Sequence, residues 1–149
     1  MKIRFAEKKD IEQLVKLCEL HAIYENATYN TKNKTALLTK YLFDKKDVLK
    51  CLVVENKEEI VGYTTFMKQF STWDTSFYIY LDCLFFIENV RGNGLGTLLM
   101  NEIKKFAQQE NCNEIQWQTP DFNTKAIQFY QKIGAISKTK ERFYFNLLI

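Results

Sequence analysis

A chain of 149 residues with 46% apolar and 15% aromatic side chains, one proline and five glycines has the material for one buried core and none of the bias of a disordered or fibrous protein. The net charge of +3 is carried by lysines interleaved with acids, which offers nucleic acid no basic stripe. Cys18, Cys51, Cys83 and Cys112 stand too far apart for structural zinc, and no apolar run approaches the roughly 20 residues that span a bilayer. The composition thus points to a cytoplasmic protein with free thiols, no metal and no membrane segment.

In chain order, Met1 to Phe5 reads as a short strand. Asp10 and Gln13 have the spacing of a capping box ahead of Ile11, Leu14, Val15, Cys18 and Ala22, which share one helical face running to about Tyr24 or Glu25. A polar stretch follows, then a second helix over Lys34 to Leu42. Leu49 to Val54 and Ile60 to Phe70 form a hairpin in which Gly62 marks a bulge or a close approach. After the polar loop around Trp73, Phe77 to Ile87 is the longest strand. Alternation puts Phe77, Ile79, Leu81, Cys83 and Phe85 on one face and Tyr78, Tyr80, Leu84 and Phe86 on the other, the pattern of a strand covered on both sides. Gly94 to Gln109 is an amphipathic helix and Asn113 to Gln118 a strand. Asn123 caps a helix that ends at Gly134, and Arg142 to Leu148 closes as a strand. With no linker or repeat, the expectation is one α/β domain over 1–149, a mixed central sheet flanked by helices.

Three of the five glycines lie in Arg91-Gly92-Asn93-Gly94-Leu95-Gly96-Thr97, between the longest strand and the helix after it. Glycine lets a backbone approach a ligand closely, and a helix N-terminus offers free amides and a favourable dipole to a pyrophosphate. A dinucleotide fingerprint would have Gly or Ala at Thr97, and a Walker loop would end in Gly-Lys-Ser/Thr; neither pattern is present.

The segment Arg91 to Gly96 resembles the acetyl-CoA motif of the GNAT superfamily of N-acetyltransferases, and Asn123 with Ala126 to Ala135, through Phe129-Tyr130 and Gly134-Ala135, resembles that superfamily's last motif. Within it, Tyr24-Glu25, Trp73 and Tyr80-Leu81-Asp82 are most similar to the spermidine/spermine and diamine N-acetyltransferases. The resemblance implies a GNAT-like fold and direct transfer from acetyl-CoA to a small-molecule amine. It assigns the cofactor to Leu84, Phe85, Phe86, residues 91–97 (Arg91, Gly92, Asn93, Gly94, Leu95, Gly96, Thr97), Asn123 and Tyr130. It implies that Tyr130 protonates the departing sulfur, that backbone N–H groups near Phe86 hold the oxyanion, and that a homodimer forms.

An alkylamine with a pKa near ~10 must lose a proton before it attacks a thioester. Asp82, the lone charge in an aromatic strand, is the candidate base, relay or ammonium-binding group, on the expectation that burial raises its pKa. Tyr24, Glu25, Trp73, Tyr80, Asp82 and Trp117 are candidate acceptor contacts, the rings as a wall for cations, with the single His21 as a further contact. Cys83 reads as an inert core thiol. Acetylation of a protein N-terminus or lysine, and a non-catalytic acyl-CoA sensor, are the alternatives.

Overall fold

The structure, a computed structural model, describes residues 1–45 and 47–148, which fall into two compact units, Met1–Gln118 and Thr119–Ile149. In the first unit, strands β1 (Lys2–Phe5), β2 (Lys50–Asn56), β3 (Glu59–Ser71), β4 (Ser76–Phe86) and β5 (Ile115–Trp117) lie in chain order in one sheet. The first four pair antiparallel; β5 joins β4 in parallel after a crossover through α3 (Leu95–Gln109). This is the expected mixed sheet. Helices α1 (Ile11–Tyr24) and α2 (Lys34–Thr39) belong to one face, where Ile11, Leu14 and Leu17 cluster with Cys51, Val53, Tyr63 and Phe85. On the other face α3 buries Leu99, Met100, Ile103 and Ala107, with Phe106 edge-on to Phe66 at 5.1 Å.

The start of α1 differs from the expected capping box. Asp10 reaches back to the Glu7 N–H at 2.7 Å and receives both terminal nitrogens of Arg4 at 2.7 and 3.0 Å, while Gln13 crosses to β3 and accepts from Ile60 N at 2.8 Å. A buried guanidinium outcompetes a helix amide for the carboxylate, because a charge-assisted, two-toothed pair is the stronger contact. Beyond α2 the backbone loosens into a π turn over Lys40–Asp44.

Two bulges shape the sheet. Val54 pairs with Gly62 but Glu55 with Ile60, so Val61 is the extra residue; Thr65 pairs with Cys83 but Phe66 with Leu81, so Asp82 is the extra residue in β4. The second bulge corrects the faces read from alternation. Paired side chains lie on the same face, so Leu81 goes with Phe66 toward α3, whereas Cys83 and Phe85 go with Thr65 and Tyr63 toward α1. Gly62 makes the expected close approach, beneath the ring of Phe86.

In the second unit α4 (Thr124–Lys132) begins at Asn123, whose side chain accepts from Ala126 N at 3.3 Å, and is followed by Gly134 at φ 91°. The expected strand at Arg142–Leu148 is not formed: 135–148 holds no helix or strand, and Phe143, Tyr144, Phe145, Leu147 and Leu148 are each more than 80% exposed. Aromatic and branched residues fit a pleated surface, but they supply no partner edge, and a strand without one is not stable.

Candidate active site

The chain leaves β4 at Phe86, makes one short turn over Glu88–Val90 and enters the glycine loop. Gly92 and Gly94 sit at φ 82° and 75°, where side-chain-bearing residues are strained, and apart from each glycine and its chain neighbours no heavy atom lies within 4 Å of where a Cβ would stand on either. The first hydrogen bond of α3 runs from Leu98 N to Gly94 O at 3.1 Å, so the amides of 94–97 precede it and are free for an anion. Leu95 is buried and pins the helix, while Asn93 turns its amide onto Val90 O at 3.2 Å, bracing the loop from within. Glycine conformation, open space and free amides together fit the pyrophosphate of a CoA thioester.

Upstream, Ile87 N bonds to Val61 O, and antiparallel alternation therefore turns the N–H groups of Leu84 and Phe86 away from β3. They open on the side where the β4–β5 ladder stops, at Leu81 and Trp117. Phe85 points to the α1 face, where a column of rings collects: His21 stacks on it at 5.0 Å, Tyr24 tilts against it at 6.2 Å, and the Arg91 guanidinium lies 5.3 Å from its centroid and 4.5 Å from that of Tyr24. Arg91 Nε donates to Phe86 O at 2.8 Å. The glycine loop, the end of β4 and the last turn of α1 are thereby tied together at one corner of the sheet, with Glu25 at the C-cap of α1. Arg91 thus meets Tyr24, Phe85 and the Phe86 carbonyl there, with Glu25 following Tyr24 in the chain.

Asp82 does not have the buried setting expected of it. The bulge leaves it exposed, with Cys83 Sγ 3.7 Å from its Oδ2. Burial, with the Asp82 charge second, pushes the Cys83 thiol up to about 12, which agrees with an inert core thiol. Tyr80 and Trp117 are half-buried, opposite Gln116 and Leu81 respectively where β4 meets β5. Trp73 is not brought to them: it is 97% exposed in the β3–β4 turn, and Asp82 lies six residues beyond the start of β4, about 20 Å along the strand. A loop tryptophan before a strand carries no information about which end of the strand the site uses. Tyr130 is half-buried on α4, its ring 5.2 Å from that of Phe129, in the second unit together with Asn123.

Tyr63 was not anticipated. It is 1% exposed, its hydroxyl 3.0 Å from His21 Nδ1, and burial holds its phenol far above the usual tyrosine range. The available signal was a polar-tipped aromatic three residues beyond the start of the expected strand arm Ile60 to Phe70.

The sequence pattern of the Acetyltransferase (GNAT) family matches residues 14–135. The chain is 25% identical over 147 residues to the thialysine N-epsilon-acetyltransferase of Mus musculus, covering 93% of this chain and 86% of that one. Among solved structures it superposes on an integron cassette protein from the mobile metagenome of V. cholerae with a TM-score of 0.78 at 25% identity, covering 97% and 91% of the two chains. It superposes on the ribosomal-protein-alanine N-acetyltransferase of Brucella melitensis with a TM-score of 0.78 at 14% identity, covering 98% and 100%, a likeness of fold alone. A mixed sheet with a glycine-rich turn after its fourth strand, matched over most of its length, makes this chain a member of the GNAT acetyltransferase family and an acetyl-transferring enzyme.

Proposed function

We propose that the protein transfers the acetyl group of acetyl-CoA to a primary amine of a small molecule, a diamine, polyamine or similar compound, by direct attack in a ternary complex. The observation that carries this reading is the contact of Tyr24 with Arg91, which brings the end of α1, with the acid Glu25 as its C-cap, beside the glycine loop. The thialysine acetyltransferase relative supports an amino-acid-like or diamine acceptor. Bound acetyl-CoA supplies an activated thioester. Amides of 92–97 hold its pyrophosphate, and the N–H groups of Leu84 and Phe86 hold its pantetheine arm and polarise the carbonyl.

Asp82, in contact with water, attracts the ammonium and passes its proton to solvent, so that the free amine attacks. Tyr130 gives its phenol proton to the departing sulfur; this assignment rests on the motif around Phe129-Tyr130. Tyr80 and Trp117 border the acceptor. The family match across 14–135 supports one functional domain. Five exposed large apolar side chains in 143–148 support a homodimer, to be read by sedimentation at micromolar concentration. No helix of the described residues is long and apolar enough to cross a membrane, and the four cysteines are free; both support a cytoplasmic location.

Incubation with acetyl-CoA and a panel of polyamines, amino acids, aminoglycosides and peptides, following free thiol, tests the reading. Turnover of a small amine with loss on Tyr130→Phe supports it. No turnover together with no CoA binding by calorimetry refutes it, and a peptide outperforming every small amine would move the acceptor to a protein.

A further inference from the structure

His21 is the single histidine of the chain, and both its ring nitrogens are engaged: Nδ1 is 3.0 Å from the Tyr63 hydroxyl and Nε2 is 3.2 Å from Glu25 Oε1. The ring lies nearly parallel to Phe85, with 21° between the planes. Exposure rises along the row, from Tyr63 in the core, through the His21 side chain at 12%, to that of Glu25 at 32%. A carboxylate only accepts, so the contact with Glu25 requires a proton on Nε2, and in the neutral ring Nδ1 then accepts from the Tyr63 hydroxyl. The i, i+4 spacing on α1 permits the second contact, and β3 fixes the origin of the first.

We propose, resting on the acetyltransferase reading above, that Tyr63 and His21 are positioning residues which hold the Glu25 carboxylate in place to read a second cationic group of the acceptor, distinct from the amine that is acetylated. A glutamate at a helix end is otherwise free to rotate, and ordering it on each binding event would cost affinity; a row anchored in the core orders it beforehand. Asp82 serves the reacting amine and Arg91 occupies the face of Tyr24, so Glu25 is the carboxylate left for the far end of the acceptor.

The test compares a linear alkyldiamine with the monoamine of the same chain length, in the wild type and in Tyr63→Phe, His21→Leu and His21→Gln. Tyr63→Phe and His21→Leu raise KM for the diamine about tenfold, the loss of one charge-assisted hydrogen bond, with kcat within about twofold and monoamine kinetics unchanged. His21→Gln, whose amide still donates to Glu25, restores most of the difference. Equal losses for both amines would mean a role in packing only and overturn the proposal.

A second readout needs no activity and no variant. The lone imidazole of isotope-labelled wild type is expected in the Nε2–H tautomer by nitrogen NMR, and a wild-type ring in the Nδ1–H form overturns the proposal. Should the wild type bind CoA but acetylate no amine, the acetyltransferase reading fails separately. Calorimetric binding of the diamine to wild type and Tyr63→Phe then decides, weaker binding to the variant supporting the role and equal binding refuting it.

Discussion

A methyl group at Gly62 tests whether the corner of the sheet depends on close packing beneath Phe86. In Gly62→Ala the new Cβ would stand 2.3 Å from Phe86 Cδ1, 2.7 Å from Phe86 Cε1 and 3.1 Å from the backbone oxygen of Phe85. Carbon atoms rest at about 3.5–4 Å, so the ring must retreat by at least about 1 Å. Phe86 is only 8% exposed and has little space to yield, and the Phe85 carbonyl belongs to the β3–β4 ladder. Overpacking of a closed core costs about 1–3 kcal/mol, and a clash with both ring and main chain should cost about 2 kcal/mol, or roughly 4–8 °C in Tm for a domain of this size. The same retreat disturbs the Phe86 N–H and the carbonyl that anchors Arg91, so KM for acetyl-CoA should rise as well. Scanning calorimetry and initial rates measure the two effects. Repeating the substitution in a Phe86→Leu background should recover most of the loss, since the two positions share one contact. A variant that melts within about one degree of the parent, or an equal loss in both backgrounds, would refute the reasoning.

Asp10 is 2% exposed and its carboxyl is held below the usual carboxylate range, first by hydrogen bonds from Arg4. Asp10→Asn should cost about 3 kcal/mol by leaving that guanidinium without its main partner. Because the folded-state pKa is depressed, the contribution of Asp10 is present above the ordinary carboxylate pKa and is lost as pH falls through the folded value, so urea titrations should show the wild-type advantage shrinking in acid. Gly94→Ala places a side chain at φ 75° and should cost about 1 kcal/mol in thermal unfolding while raising KM for acetyl-CoA more than KM for the amine. Asp82→Asn should lower kcat/KM for the amine on the order of a hundredfold with CoA binding by calorimetry unchanged; an effect on CoA binding instead would remove Asp82 from the acceptor side.

Much of this was readable before any coordinates. The order of the elements through α4, the glycine turn at 91–97, the Asn123 cap and the close approach at Gly62 each follow from a residue type whose backbone or hydrogen-bonding options are few. The bulge at Asp82 was not readable. Apolar residues on both sides of β4 make its two faces chemically alike, so a change of parity within the strand leaves no trace in the pattern. The same change moved Asp82 from an expected buried setting to an exposed one. The expected strand at 142–148 failed for a different reason: local composition specifies what a residue can pack against, not whether a partner strand is there to pair with it. The row from Tyr63 through His21 to Glu25 joins residues 42 and 4 positions apart, and only the helical spacing of the second pair was visible in the sequence.

The extra residue in β4 works like a shifted reading frame. Deleting Asp82 would remove the bulge with the carboxylate, yet Leu81 would stay opposite Phe66 and Cys83 opposite Thr65, so every side chain beyond it would keep its face. Deleting a paired residue such as Leu84 would instead turn Phe85, the ring on which His21 and Arg91 converge, to the opposite face. Loss of a single codon thus spares the ring column at the bulge and dismantles it two residues later.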